Sequence, residues 1–334
     1  MIISRTPYRV SLFGGGSDYP QWYKENGGAV LGFAINKYNY ISLRPLPEFF
    51  DHRHRIIYSK IEFVNHISEI EHPAVRNILE DQQVDYGVII HYDGDLPARS
   101  GLGSSSSFTV GLLNALYAQS GKMVSKEFLA SEAIRIEQDV IKENVGSQDQ
   151  VWAAHGGMNR IDFLRDGSIS VEPLIMVPER RDQFVSKLML FFTGFSRIAS
   201  EVAGSKIANL KSRFREVTTM VQMVDEAQSI LCSKNGPLDG VGKLLHESWM
   251  LKRSLADSVS NSDIDEIYNA GISAGAVGGK LLGAGGGGFV LFYVEPEKQD
   301  SVRKRLSKLI EVPFNISPTG SKIVVYEPDG LHGA

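Results

Sequence analysis

The amino-acid sequence predicts an α+β protein with two domains, on three observations. The chain has 334 residues, of which 43% are hydrophobic and 22% are charged, which is enough apolar material for two cores in a soluble protein. Strand-like segments come first in the N-terminal half, and helix-like segments dominate the C-terminal half. This change in composition places the boundary near residue 185 and predicts domains over residues 1–185 and 186–334.

The first half contains three segments with strand patterns. The segments "YRVSLF" and "AVLGFAINKYNYISLRP" alternate or run apolar over strand lengths, and "YGVIIHYDGDLP" ends in turn residues. We expect these strands to form an antiparallel or mixed sheet. Later in the chain, "MNRIDFLRDGSISVEPL" predicts a hairpin around Asp166 and Gly167, and "KLMLFFTG" predicts a buried strand.

Helical patterns alternate with these strands. One helix is expected to begin in the serine run at 104–107, and a second to extend over residues 125–144. In the second half, apolar residues at helical spacing predict a single long amphipathic helix over residues 202–231. Two further helices are predicted, one around Trp249 and one after Asp263.

The composition argues against several classes of partner. A net charge of −4 provides no field that would attract nucleic acid or an anionic membrane, so we expect neither partner. The single cysteine, Cys232, excludes an internal disulfide, and the start of the chain lacks a signal-sequence pattern, which favours the cytoplasm. No apolar run approaches the ~20 residues that a membrane-spanning helix requires.

The stretch "LPARSGLGSSSSFTVGLLNAL" predicts an anion-binding helix start. The first N–H groups of a helix are unpaired and carry a partial positive charge, and small residues let a phosphate approach them. The serine hydroxyls can cap the helix, donate to phosphate oxygens or ligate Mg²⁺. The alternative is a flexible loop with redundant serine caps. The candidate anion-binding residues are Gly101, Leu102, Gly103, Ser104, Ser105, Ser106 and Ser107.

Familiar glycine-rich motifs do not explain this stretch. The Gly-Lys pairs of the chain are followed by Met or Leu, whereas a P-loop requires Ser or Thr at that position. The glycine run at 283–288 matches a dinucleotide-binding pattern, but the strand segment "FVLFYVE" follows it instead of a helix. The serines also lack the flanking glycines of a hydrolase nucleophile elbow.

Glu137 lies near the middle of the apolar face of the helix predicted over residues 125–144. An unpaired carboxylate in such a place would cost several kcal/mol or stay protonated, so a metal ion or an arginine is expected opposite it. The alternative is a structural ion pair or a position at the rim of a domain interface. The nearby serine loop favours the metal, because Mg²⁺ commonly takes one or two carboxylates together with substrate phosphates.

Two further polar segments are candidates for the chemistry. Asp149 lies in the polar loop "ENVGSQDQVWAAHGG" and could accept a proton from a substrate hydroxyl. In "PYRVSLFGGGSDYPQW", Arg9 lies on a strand and suits charge that develops during phosphoryl transfer, while Asp18 could hydrogen-bond a polyol. The alternative for both aspartates is an ordinary role in a turn or a cap.

Three segments together resemble a known family. The segments "TPYRVSLFGGGSDYP", "LPARSGLGSSSS" and "KLLGAGGGGFVLF" resemble, in order and separation, the three motifs of the GHMP kinases, which include galactokinase, homoserine kinase and mevalonate kinase. The resemblance implies a two-domain GHMP kinase fold. Its N-terminal domain would be similar to ribosomal protein S5 domain 2 and its C-terminal domain ferredoxin-like, with ATP and the acceptor bound between them.

The resemblance also implies roles for the candidate residues. The segment from Gly101 to Ser107 would wrap the triphosphate of ATP, Ser105 and Glu137 would hold Mg²⁺, Asp149 would activate the acceptor hydroxyl, and Arg9 would stabilise the transferring charge. The γ-phosphoryl group would pass directly to the hydroxyl without a covalent enzyme intermediate. The residues that would border the acceptor are Gly15, Gly16, Asp18, Arg197, Gly285 and Gly286.

The first motif bears on the acceptor. Galactokinases have Glu-His where this chain has Gly15 and Gly16, and the segments "GGGSDYP", "FFDHRHRIIYSKIE" and "FFTGFSRIA" resemble the D-glycero-D-manno-heptose 7-phosphate kinases. These enzymes phosphorylate an anomeric hydroxyl. Kinases of fucose, of galactose or of a mevalonate-type alcohol are the alternatives, as is a catalytically silent sugar or nucleotide sensor, and the sequence leaves a homodimer open. The basic candidates for binding a substrate phosphate are Arg53, Arg55, Lys60, Arg99 and Arg197.

Overall fold

The computed structural model describes residues 1–195 and 199–328. Its strands are β1 (Ile2–Phe13), β2 (Gly28–Pro45), β3 (His54–Ile57), β4 (Ile61–Val64), β5 (Val88–Gly94), β6 (Met158–Phe163), β7 (Ile169–Pro173), β8 (Leu188–Phe192), β9 (Gly278–Leu281), β10 (Phe289–Tyr293), β11 (Ile310–Glu311) and β12 (Lys322–Tyr326). Its α-helices are α1 (Pro20–Asn26), α2 (Pro73–Asp81), α3 (Ser104–Gln119), α4 (Lys126–Arg135), α5 (Gln148–His155), α6 (Pro178–Ser186), α7 (Ala199–Asn209), α8 (Phe214–Cys232), α9 (Asp239–Ser254), α10 (Ser262–Ser273) and α11 (Gln299–Arg305).

The described strands form two sheets, which confirms the α+β class. The first sheet runs in the order β12-β1-β2-β5-β3-β4, with β6 beside β2 and β7 beside β6. Its pairs are antiparallel except β3 with β5, so the predicted mixed sheet is confirmed. The second sheet runs β11-β8-β10-β9 and is antiparallel throughout. Because β12 pairs with β1, the chain returns to the first sheet at its end, and the division at residue 185 remains a proposal.

Most local predictions are confirmed, and three are wrong. The polar loop predicted around Asp149 is helical from Gln148 onward, and Asp149 lies in the first turn of α5. The helix of the serine run and the hairpin of β6 and β7 occur where predicted. The helix predicted over 125–144 ends early: a π-helical turn over Ile136–Val140 follows α4, and Lys142 then adopts a left-handed φ of 63°. The helix predicted over 202–231 is two helices, because the chain turns at 210–213 while buried Leu210 keeps the apolar spacing.

Helix α3 is fixed against the first sheet along its length. The hydroxyl of Ser4 on β1 donates to the carbonyl oxygen of Gly111 at 2.8 Å. The absent side chain of Gly111 permits this approach, because a Cβ there would lie 2.9 Å from Oγ1 of Thr6. Closer to the start of the helix, the hydroxyl of Ser107 donates to the carbonyl oxygen of Pro7 at 2.9 Å. The N-terminus of α3 is therefore held in a defined place above β1.

The two domains meet through closely packed glycine backbones. A Cβ on Gly283 would lie 2.4 Å from Cα of Gly101, and a Cβ on Gly288 would lie 2.1 Å from the carbonyl oxygen of Ser100. Any larger residue at these positions would separate the loop that precedes α3 from the loop that joins β9 to β10. The glycines of the third motif therefore serve the contact between domains.

We expect Gly283→Ala to lower the free energy of unfolding more than Gly167→Ala does. Both glycines have a positive φ, 70° and 90°, so both variants carry backbone strain, but a Cβ on Gly167 meets nothing within 4 Å. The difference isolates the close contact with Gly101 and should be about 1–3 kcal/mol in chemical denaturation. Equal destabilisation of the two variants would contradict this account of the interface.

Candidate active site

A cavity of about 230 Å³ lies between the N-terminal elements and helices α7 and α9 with strand β9. It brings together segments that are far apart in the sequence: the end of β1, the start of α3, the start of α5 and the C-terminal elements. Its lining includes Arg9, Gly15, Gly16, Asp18, Arg99, Gly101, Gly103, Ser104, Ser105, Ser106, Glu143, Asp149, Lys206, Lys252, Lys280, Gly283 and Ala284.

The start of α3 faces this cavity with its backbone and with part of the serine run. Gly103 precedes the helix with a φ of 74°, and the exposed Ser105 borders the cavity together with Ser104 and Ser106. Leu102 is fully buried in the core beneath the loop. The N–H groups of this helix start are therefore available to an anion, as the sequence predicted.

Ser107 has a structural partner on each side. It accepts a hydrogen bond of 2.7 Å from Nδ2 of Asn39 on β2 and donates to the carbonyl oxygen of Pro7 on β1. The side chains of Leu102 and Ser107 thus support the loop from below. The backbone N–H of Ser107 donates to the carbonyl oxygen of Gly103 at 2.9 Å, so Ser107 offers neither its side chain nor its N–H to a nucleotide, and its predicted contact is not supported.

Arg9 and Asp149 form a two-point ion pair inside the cavity. Nε of Arg9 donates to Oδ1 of Asp149 at 2.7 Å, and Nη2 donates to Oδ2 at 2.5 Å. Nη1 of Arg9 also donates to the carbonyl oxygen of Gly101 at 2.7 Å, which ties this pair to the start of α3. Two of the four lone-pair positions of the Asp149 carboxylate remain for a ligand.

Asp18 is a second carboxylate in the cavity, and it is only 2% exposed. The backbone N–H of Gly16 donates to its Oδ1 at 2.9 Å. Gly146 lies against the other oxygen so closely that a Cβ there would be 1.8 Å from Oδ2. Burial raises the pKa of Asp18, and the nearby negative charge of Asp149 adds to the effect.

Glu137 is buried on the π-helical turn, as its position on the apolar face predicted. Ser106 donates to its Oε2 at 2.9 Å, and Nε2 of Gln150 donates to the same oxygen. Burial raises the pKa of Glu137 to about 7. The expected arginine is not found among its described partners.

The second carboxylate oxygen of Glu137 makes no hydrogen bond of good geometry within the described residues, although the hydroxyl of Thr109 lies near enough to favour the charged carboxylate. A buried oxygen that is incompletely satisfied, close to serine hydroxyls at a helix N-terminus, fits the oxygen ligands that Mg²⁺ takes. The hydroxyl that contacts Glu137 belongs to Ser106, while Ser105 lies at the cavity surface. Across residues 1–195 and 199–328, no group of three or more His, Cys, Asp or Glu side chains could hold a metal ion by itself.

The glycine loop between β9 and β10 reaches the cavity through Gly283 and Ala284. The predicted acceptor residues Gly285 and Gly286 pack against the short helical turn that contains Val259, and the N–H of Gly286 donates to its carbonyl oxygen at 3.0 Å. Their contact with an acceptor therefore remains a prediction. Arg197 lies outside the described residues.

Three of the basic candidates do not line the cavity and have partners in the segments that connect β2 to β5. Arg53 donates to the carbonyl oxygen of Asp85, Arg55 contacts the ring of Phe50, and Lys60 pairs with Glu71 at 2.7 Å. Arg99 alone of the four described candidates lines the cavity.

Sequence reasoning missed three buried lysines that line the cavity. Lys206, Lys252 and Lys280 are 5%, 6% and 2% exposed. Lys252 lies one turn after the buried Trp249 on α9, so the wheel argument that identified Glu137 could have found it. Lys280 lies on the four-residue strand β9, which gives no such signal.

The described helices include none that is both long and apolar enough to span a membrane.

Comparison with known proteins identifies both halves of the chain. A family model for the "GHMP kinases N terminal domain" matches residues 65–157, and one for "GHMP kinases C terminal" matches residues 224–311. Together the two matches span more than half of the chain. The first match includes helices α2 to α5 with the serine run at the start of α3, and the second includes helices α9 to α11.

Individual relatives extend this similarity over nearly the whole chain. A D-glycero-alpha-D-manno-heptose 7-phosphate kinase of Campylobacter jejuni is 27% identical over 320 residues, covering 92% of this chain and 93% of that protein. A bifunctional fucokinase/GDP-fucose pyrophosphorylase of Arabidopsis thaliana is 26% identical over 335 residues, covering 93% of this chain and 31% of that longer protein. The crystal structure of a D-glycero-D-manno-heptose 1-phosphate kinase from Bacteroides thetaiotaomicron shares the fold, with a TM-score of 0.79, 24% identity and coverage of 98% of this chain and 100% of that chain.

The raised pKa of Glu137 predicts a dependence of stability on pH in buffer without Mg²⁺. The folded protein retains a proton that the unfolded chain releases near pH 4.5, so the free energy of unfolding should fall between pH 5 and 8. Glu137→Gln should remove this fall, which is on the order of 3 kcal/mol for a shift of this size. Denaturant unfolding at several pH values measures it.

The exposed Glu226→Gln on α8 makes the same exchange of carboxylate for amide and serves as the control. We expect its pH profile to parallel that of the wild type. A Glu137→Gln profile that also runs parallel to the wild type would contradict the assignment of the proton to Glu137.

Proposed function

This chain belongs to the GHMP kinase family, and on that premise we propose that it phosphorylates the anomeric hydroxyl of D-glycero-D-manno-heptose 7-phosphate. The family and its relatives make the protein an ATP-dependent kinase with an alcohol group as acceptor. The identity of that alcohol is the proposal. Support for it comes from the similarity to the Campylobacter jejuni enzyme over more than nine tenths of both chains.

The observation that carries the kinase chemistry is the ion pair of Arg9 and Asp149 beside the start of α3. In the proposed reaction, an oxygen of Asp149 accepts the hydroxyl proton as the acceptor oxygen bonds to the γ-phosphorus. The bond between that phosphorus and the β,γ-bridging oxygen breaks, and ADP leaves with the bond electrons. Arg9 orients the carboxylate and provides positive charge where the transferring group becomes more negative.

The ATP phosphates are proposed to lie at the start of α3. The backbone there is open through Gly101 and Gly103, and the hydroxyls of Ser104, Ser105 and Ser106 border the same side of the cavity. The helix N-terminus stabilises the phosphate charge, and its attachment to β1 keeps it in place during the reaction.

Mg²⁺ is proposed to be held by Glu137 and Ser105 together with the phosphates. The incompletely satisfied oxygen of Glu137 supports this assignment. When bound, the ion neutralises phosphate charge. Ser106 and Gln150 hold the other oxygen of Glu137 and so keep the carboxylate in one orientation.

The acceptor is proposed to lie beside Asp18 and the glycine turn at 14–16. Gly15 and Gly16 line the cavity and leave space where galactokinases carry Glu-His. The carboxylate of Asp18 can accept hydrogen bonds from sugar hydroxyls. Fucose is the second candidate acceptor, because the similarity to the Arabidopsis fucokinase also covers nearly all of this chain.

A panel of acceptors tests the proposal. With ATP and Mg²⁺, we expect ADP release with D-glycero-D-manno-heptose 7-phosphate and little with fucose, galactose or mevalonate. Phosphorus NMR of the product should show the new phosphate on C1. A preference for fucose would retain the kinase mechanism and overturn the proposed acceptor.

We expect Asp149→Asn to lower kcat by at least about 100-fold, because the loss of a general base typically costs two to four orders of magnitude. The affinity for ATP, measured by calorimetry, should change less than twofold. The control is Asp162→Asn, because Asp162 also pairs with an arginine, Arg160, at 2.8 Å and is likewise 23% exposed, but it lies on β6. Turnover that survives in Asp149→Asn would assign the base to another group.

A further inference from the structure

Lys206 is a buried cation that lacks an ordinary partner. Its side chain is 95% buried and borders the cavity. In the part of the chain that the structure describes, its ammonium group makes no ion pair or hydrogen bond, and its contact is the face of the Tyr19 ring, 5.7 Å from the ring centre. A buried ammonium without an anion is unfavourable, so a ligand anion at this point would be strongly attracted.

Two more buried lysines adjoin the same region with donors to spare. Nζ of Lys280 donates to the carbonyl oxygen of Leu12 at 2.6 Å, which leaves two of its three N–H donors. Nζ of Lys252 donates to the carbonyl oxygens of Leu281 and Gly283, which leaves one. Burial lowers the pKa of Lys206 to about 8 and that of Lys280 to about 7, and the nearby charge of Asp18 offsets only part of either shift.

Two of these lysines, Lys206 and Lys280, lie beside the turn proposed to bind the acceptor. Lys206 contacts Tyr19 and Lys280 contacts Leu12, so both adjoin the turn that precedes and includes Asp18. Arg99 marks the other side, because its backbone N–H donates to the hydroxyl of Ser104 at the start of α3. The ion pair of Arg9 and Asp149 adjoins the start of α3 through Gly101, and the charge of Arg9 also acts on Lys206 and Lys280.

Asp18 lies near the lysines, and its charge acts on each of them, but in the part of the chain that the structure describes it forms no ion pair with them. Among the described residues, no carboxylate oxygen of Asp18 lies within 4.0 Å of the ammonium of Lys206. The cavity thus holds a hydrogen-bond acceptor and a cation on one side, with space between them. A ligand with a hydroxyl and an anionic group would satisfy both.

We infer that Lys206, together with Lys252 and Lys280, binds a phosphate monoester of the acceptor. The inference rests on the proposed kinase function and moves the substrate phosphate from Arg53, Arg55 and Lys60 to the lysines between the domains. A phosphate fits better than a carboxylate, because the cavity is lined by five cations, Arg9, Arg99, Lys206, Lys252 and Lys280, and three carboxylates, Asp18, Glu143 and Asp149, and a phosphate dianion balances that excess. Lys206 then selects a phosphorylated acceptor over the same molecule without its phosphate.

Calorimetry without ATP tests this inference independently of turnover. The ligands are two matched pairs, D-glycero-D-manno-heptose with its 7-phosphate and mannose with its 6-phosphate, along with mevalonate as a carboxylate. The variants are Lys206→Met and Lys206→Gln, which remove the charge, and Lys206→Arg, which keeps it. Lys211→Met is the control, because Lys211 is 85% exposed just after the same helix.

We expect the wild type to bind at least one phosphorylated sugar more tightly than its unphosphorylated partner. The neutral variants should lose about 10- to 100-fold in affinity for that phosphorylated sugar, as for the loss of a charged hydrogen bond, and little for the free sugar. Lys206→Arg should retain much of the preference, Lys211→Met all of it, and ATP affinity should change less than twofold throughout. The neutral variants should fold, because they remove an uncompensated buried charge.

Several results would overturn the inference: no preference for phosphate in either pair, tighter binding of mevalonate than of the sugar phosphates, or a loss in the neutral variants that falls on ATP. Turnover assays distinguish a failure of this inference from a failure of the proposed kinase reaction. If a sugar phosphate binds through Lys206 and is not phosphorylated, the subsite stands and the proposed reaction fails. If a free sugar is phosphorylated equally well by wild type and Lys206→Met, the reaction stands and the subsite fails.

Discussion

The ion pair of Arg9 and Asp149 is the constraint on which the site depends. A guanidinium group that is 5% exposed must place its donors on acceptors, and Arg9 does so on Asp149 and the carbonyl oxygen of Gly101. The backbone N–H of Arg9 also donates to the carbonyl oxygen of Leu102 at 3.0 Å. Strand β1, the loop before α3 and the start of α5 must therefore meet at one point. That meeting places an anion-binding helix start beside a carboxylate base.

The C-terminal elements complete the site by closing over this arrangement. Gly283 and Gly101 pack backbone to backbone, and Lys252 donates to the carbonyl oxygen of Gly283 at 2.7 Å. The glycine loop is therefore held by the hydrogen bond from Lys252 and by its contact with Gly101 in the loop that precedes α3. Since Lys206 and Lys280 also come from these elements, the excess positive charge of the cavity exists only when both domains are folded together.

The sequence predicted what depends on local pattern and missed what depends on long-range contact. The start of α3 and the burial of Glu137 follow from capping and periodicity, which are properties of neighbouring residues. The break at 210–213 was missed because Leu210, the first residue of the turn, is buried and continues the apolar spacing of the two helices. The partners of Glu137 could not be named, because Ser106 and Gln150 reach it from two other elements. Lys280 gave no signal for the same reason, since its neighbours come from β1.

The two carboxylates of the cavity differ in their surroundings, and the difference suits two roles. Asp149 has a guanidinium on both oxygens and keeps 23% of its side chain exposed to the cavity, where a reacting hydroxyl can reach it. Asp18 is only 2% exposed and lacks an ion-pair partner among the described residues, so we assign it hydrogen bonding to a polyol and leave proton transfer to the more accessible Asp149. With a cation beyond Asp18 at Lys206, the proposed order along the cavity is phosphoryl donor, base, hydroxyl-binding carboxylate and phosphate-binding lysine. An acceptor that spans this order carries its reacting hydroxyl at one end and its phosphate at the other, as a sugar with an anomeric hydroxyl and a terminal phosphate does.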